Sequence, residues 1–107
     1  MINITFNPKT YTIDITGHAG TDEKGKDIVC AAISTLFYTL AQALYPYNDK
    51  TESGIDFSDE DGNGHISCTP KKKYEQNIIL IYYTILSGFE LVAENYKENV
   101  KFSVLEQ

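Results

Sequence analysis

The chemistry in this chain is concentrated in the stretch Gly17–Cys30, GHAGTDEKGKDIVC, which holds one of its two histidines and one of its two cysteines. A thiol is a nucleophile only as thiolate, so a cysteine that reacts needs a base or a field that favours its anion. Cys30 stands at the front of AAISTLFYTLAQAL, a strongly helical pattern. With Asp27 as N-cap, it would be the third residue of that helix, among the unpaired amides of the first turn. Those amides and the helix dipole would lower the thiol pKa from its usual ~8.5. At about 100° per residue, Cys30 lies roughly 80° from the centre of the apolar stripe, on the boundary between core and solvent. His18 falls where a strand ends. A histidine there could take the thiol proton and return it to a leaving amine. The residue types alone also fit a small core cysteine and a structural, hydrogen-bonded histidine, and motif pairs of this kind often arise by chance.

The elements that must position this pair follow from periodicity. Ile2, Ile4 and Phe6 alternate with polar residues, Asn7–Pro8–Lys9 marks a turn, and Tyr11, Ile13 and Ile15 alternate in turn. This is a hairpin ending near Gly17. A loop over residues 17–26 follows. From Asp27 the period becomes 3.6, with Val29, Ile33, Leu36, Leu40 and Leu44 in one stripe, until Tyr45–Pro46 ends the helix. Ile55 and Phe57 open a short strand, DEDGNG turns, His65–Thr69 returns and Pro70 stops it. A second helix is expected over Lys72–Glu98, with a stripe at Ile78, Tyr82, Ile85, Phe89, Val92 and Tyr96. Lys71–Lys73 at its positive end oppose the helix dipole, which argues for a start a few residues later. Val100, Phe102 and Val104 form a last strand. The order ββ-α-ββ-α-β implies one domain over residues 1–107, of α+β or α/β class, with a mixed sheet packed against two helices. The alternating strands favour at least one partly exposed sheet face.

Composition narrows the function classes. The chain has 107 residues, 42% hydrophobic, with five Phe and eight Tyr, enough for a core. Its formal net charge is −6. Nucleic-acid binders need a cationic footprint, so RNA or DNA is not expected as a direct partner; a basic protein suits the charge. The absence of a continuous apolar run of about 18 residues argues against a membrane span. The start MINITFNPKT carries no basic-then-apolar leader, so cytoplasmic residence is expected. Two cysteines in a reducing compartment are more often buried, metal-bound or catalytic than bridged.

The pattern G-H-A, a glycine-containing loop, then G-K-D-I-V-C-A-A-I-S-x-L resembles the ribosomal-processing cysteine protease family of Firmicutes and relatives. SGFELVAENYKENVKF is similar to that family's second-helix ending and final strand, and the element order covers the whole chain. The resemblance implies a cytoplasmic, homodimeric endopeptidase that needs no cofactor and removes a short N-terminal extension from a large-subunit ribosomal protein. It places the nucleophile at Cys30 and the base at His18, with Asp27 and Ser34 matching a conserved aspartate and serine. It makes Gly17, Gly20, Asp22, Glu23 and Gly25 part of a loop that orders around substrate, and it implies an apolar groove beside Cys30 for aromatic residues before the cut. Asp27 has two readings: it orients His18, or it caps the helix. Ser34 lies one turn beyond Cys30. The rival function is a non-catalytic ribosome-assembly or protein-binding factor on the same fold.

Two other motifs look chemical. DEDGNG at Asp59–Gly64 opens like a calcium loop, but its twelfth position is Pro70 where calcium needs a bidentate Glu, so a hairpin turn is expected. His65 and Cys68 could join His18 and Cys30 around zinc. Residues three apart on a strand point to opposite faces, however, so no metal is expected, with Cys68 buried and His65 at the surface.

Overall fold

The computed structural model describes residues 1–17 and 24–105, with the side chains of 24–27 excepted. Its elements run β1 (Ile2–Asn7), β2 (Thr12–Thr16), α1 (Lys24–Leu44), β3 (Asp56–Glu60), β4 (Asn63–Ser67), α2 (Glu75–Asn95) and β5 (Val100–Val104). The expected order ββ-α-ββ-α-β is the observed one. The five strands form a single sheet in the order β3-β4-β2-β1-β5. All neighbours are antiparallel except β1 and β5, which run parallel with Ile2 opposite Val100 and Phe6 opposite Val104.

Strand alternation decides which sheet face is covered. Ile2, Ile4, Phe6, Ile13, Ile15 and Ile66 point to one side and are buried, together with Val29, Ile33, Phe37, Leu40 and Leu44 of α1 and Ile78, Tyr82, Ile85, Leu86 and Phe89 of α2. Both helices therefore lie on the same face. Each fully buried aliphatic or aromatic side chain contributes about 1.5–3 kcal/mol of transfer free energy. Gly88 lets the helices approach: a Cβ there would come within 2.6 Å of the Leu36 side chain. The other face carries Asn3, Thr5, Asp14, His65 and Ser67, which alternate with the core residues and stay in contact with water.

Several boundaries differ from the expected ones. α1 begins at Lys24, not Asp27, so Gly25 and Asp27 belong to its first turn. Gly25 is therefore not a loop residue, and Asp27 does not occupy the cap position. The extra turn is made of polar residues and glycine, which carry no apolar period. A 3₁₀ turn over Tyr45–Lys50 follows α1 directly, with Pro46 at its start. α2 begins at Glu75 after a 3₁₀ turn at Lys72–Tyr74, so the three lysines precede the helix and an acidic residue opens it, as the dipole prefers. The β3–β4 connection is a two-residue turn at Asp61–Gly62 with φ of 53° and 79°, the pattern of a type I′ hairpin.

Residues 28–50 and 72–95 are each long and apolar enough to cross a membrane by length and composition, even with no uninterrupted apolar run. Composition alone therefore does not exclude a span, contrary to the expectation. Here both helices turn their apolar stripe to the sheet, as the helices of a folded core do.

Candidate active site

One end of the sheet opens into a cleft of about 220 Å³ lined by Ile2, Ile15, Gly17, Cys30, Ile33, Ser34 and Gly62. Four elements meet there: the start of β1, the end of β2, the second and third turns of α1, and the β3–β4 turn. Cys30 is exposed and its thiol is free. Val29 and Ile33, in the same stretch of α1, are buried and hold the helix to the sheet, so the thiol is fixed by its neighbours yet open to solvent. Ser34, one turn on, lines the same cleft.

Gly17 lines the same cleft and is the last described residue before His18. Its φ is +89°, and a Cβ would collide with the carbonyl oxygen of Met1, so only glycine fits. Its N–H donates to the side-chain oxygen of Asn63 across 3.4 Å. His18, Gly20, Asp22 and Glu23 lie outside the described residues, as does the Asp27 side chain.

The expected reason for Cys30 reactivity needs correction. With α1 starting at Lys24, Cys30 is its seventh residue and lies past the four unpaired amides of the first turn. A first-turn amide cradle is therefore not available to its sulfur.

The second cysteine and histidine are placed quite differently. Cys68 is 6% exposed, and its sulfur lies 3.7 Å from the Tyr82 hydroxyl. Burial pushes its thiol pKa up, against a smaller downward pull from that hydroxyl. His65 lies on the uncovered face, where its Nδ1–H donates to Asp14 at 2.6 Å. Its Nε2 faces Ser67 at 3.4 Å and Asp56 at 3.5 Å. The sheet separates His65 from Cys68, so H-x-x-C forms neither a dyad nor half of a zinc set. Another depression, about 250 Å³ between α2 and β5, is lined by Phe6, Pro8, Tyr83, Leu86, Ser87, Glu90, Phe102 and Val104 and holds no thiol or imidazole.

Two features of the cleft are not evident in the sequence. Gly62 reaches the cleft, and Asn63 the Gly17 amide, from a hairpin far along the chain, and only the D-G turn signal hinted at so tight a tip.

The family model for the cysteine protease Prp matches residues 1–101. The chain belongs to the Prp family. It is 29% identical over 104 residues to the ribosomal processing cysteine protease Prp of Staphylococcus aureus, covering 95% of each chain. Two S. aureus Prp crystal structures share its fold over 97% of both chains. One, with a covalently linked product peptide, is 28% identical with a TM-score of 0.72; the other, with a substrate peptide, is 26% identical with a TM-score of 0.73. A crystallised Streptococcus mutans protein is 30% identical over 99% of this chain and 93% of its own, with a TM-score of 0.70. The mixed sheet with two helices is thus the Prp fold.

Proposed function

We propose that this chain is a cytoplasmic endopeptidase that removes the N-terminal extension of a large-subunit ribosomal protein precursor, with Cys30 as nucleophile and His18 as base. The reading rests above all on the cleft that an exposed Cys30 shares with Gly17, the residue that precedes His18. The chain has only two histidines, and His65 is engaged by Asp14 on the far face of the sheet. In this reaction His18 takes the Cys30 proton as the sulfur attacks the scissile carbonyl. It then gives that proton to the departing amine, leaving a thioester. Water, deprotonated by His18, hydrolyses the thioester and restores the thiol. The covalently linked product peptide of the S. aureus relative supports a covalent course. Ile2, Ile15 and Ile33 give the cleft apolar walls suited to apolar or aromatic residues beside the cut.

Asp27 precedes Cys30 by one helical turn, on the side from which the chain arrives, and is assigned to orienting His18. Ser34 is assigned a supporting contact within the cleft. Residues 17–23 carry the substrate loop, with Asp22 and Glu23 facing basic groups of the ribosomal protein.

The homodimer forms through α2. Leu80, Tyr83 and Leu91 are exposed at helical spacing, and Leu80 borders an apolar hollow with Ile81, Ile85 and Ala43. Unpartnered apolar helix faces of this kind are typical of protein interfaces. Leu80→Glu is expected to give a monomer by analytical ultracentrifugation.

The deciding experiment incubates the precursor ribosomal protein with wild type, Cys30→Ala and His18→Ala and locates the cut by mass spectrometry. Wild type should cleave once near the N-terminus, and both variants should fail. Cleavage by Cys30→Ala overturns the nucleophile assignment; binding by wild type without cleavage points to a non-catalytic assembly factor.

A further inference from the structure

The β3–β4 hairpin contributes neither the proposed nucleophile nor the proposed base, yet it touches α1, which carries Cys30, and Gly17 at the exit of β2. On one side it lies on α1. The Phe57 ring stacks on Phe37 with centroids 5.1 Å apart, and Gly64 sits so close to Phe37 that a Cβ would come within 2.9 Å of the ring. Beside this contact the Tyr38 hydroxyl donates to Asp59, a hydrogen bond that holds the Tyr38 phenol above its ordinary pKa. On the other side Asn63 accepts from the Gly17 amide at the exit of β2. Between these two attachments, the hairpin tip at Gly62 lines the cleft.

The attachment to α1 lies on the nucleophile's own row. Cys30, Ser34 and Tyr38 succeed one another at four-residue steps, and at 1.5 Å per residue Tyr38 is about 12 Å along the axis from Cys30. The hairpin is thus tied to α1 at Tyr38 and to Gly17 at Asn63, with the cleft-lining Gly62 between the two ties. We infer that the β3–β4 hairpin is a strut that sets the separation of Cys30 from Gly17 in the cleft, with Tyr38, Asp59 and Asn63 as positioning residues for the reaction. This inference rests on the dyad proposed above. Apart from these polar contacts, the hairpin is held by the buried Ile66 and by Phe57 stacked on the buried Phe37.

Positioning is separable from folding by the behaviour of the thiol. Site-resolved alkylation of Cys30 by iodoacetamide, followed across pH 5–9 by peptide mass, requires no substrate and reports on the base that faces it. His18→Ala should displace the pH profile. Tyr38→Phe and Asn63→Ala should displace it in the same direction by less, with unchanged circular dichroism. Against precursor, each should lower kcat by about 10- to 100-fold, with KM within about twofold of wild type, as expected for an interaction used only in the transition state. Asp59→Ala should match Tyr38→Phe, and combining the two should add little. If His18→Ala displaces the profile while Tyr38→Phe and Asn63→Ala leave both profile and kcat unchanged, the strut is wrong and the dyad stands. If His18→Ala itself leaves the profile unchanged, the dyad falls and the strut with it.

Discussion

The protein contains two cysteine–histidine neighbourhoods, and their difference is one of surroundings, not of residue type. Cys68 and His65 are close in sequence, yet the sheet lies between them: the thiol is among core side chains beside Tyr82, and the imidazole is held by Asp14 in the open. Cys30 is more distant in sequence from its proposed base, and it opens into a cleft that Gly17, the residue before that base, also lines. A strand turns residues three apart to opposite faces, whereas a loop that returns from strand end to helix start brings distant residues to one edge. Nearness along the chain is thus a poor guide to which side chains share a face.

The contrast can be broken or sharpened by four measurements. The largest effect belongs to the nucleophile: Cys30→Ala should reduce precursor cleavage by at least about 10⁴-fold, and Cys68→Ala by no more than about threefold. Equal losses would erase the distinction. Next is the wall. Gly17→Ala meets both a positive φ and the Met1 carbonyl, and should cost about 2–3 kcal/mol, lowering Tm by about 10–20 °C. Gly54→Ala has the same φ of +89° but no atom nearer than 3.7 Å, so calorimetry should show a loss nearer 1 kcal/mol.

The third measurement concerns the buried thiol. Burial raises the Cys68 pKa in the folded state above its ordinary 9.0, so the fold holds the proton more tightly than the unfolded chain does. That contribution is complete below pH 9 and is lost as pH rises through the folded value. Urea unfolding should show stability falling above pH 9 by at most about 1.4 kcal/mol per pH unit for this one group. Cys68→Ala should flatten that limb, while Cys30→Ala should leave it as it is. The smallest effect is expected at His65. Its pairing with Asp14 is partly exposed, so His65→Ala should cost about 1 kcal/mol or less and leave cleavage intact.

Much of the fold is legible because one sheet face is dry. Burying Ile2, Ile4 and Phe6 against α1 and α2 forces the period-2 pattern, and the helix stripes at Val29–Leu44 and Ile78–Phe89 follow from the same core. The first turn of α1 is not legible, since Lys24–Asp27 is polar and leaves no periodic trace. Strand order is also hidden: pairing of β1 with β5 and of β2 with β4 depends on closing long loops, which local pattern does not encode. At the site, the helical wheel put Cys30 at the edge of the core, and that is where it lies. It had no means of showing that Gly62 arrives there or that Asn63 meets the Gly17 amide, because that contact spans the α1 segment.

The parallel pairing of β1 with β5 bears on when the protein can work. Ile2, a wall of the cleft, donates its amide to Asn99 at 2.8 Å and lies opposite Val100. During synthesis the strand that carries this wall waits for almost the whole chain before gaining its second neighbour. The wall at Ile2 is therefore complete only once residues 100–104 pair with β1, and a chain cut before them carries Cys30 without a finished cleft.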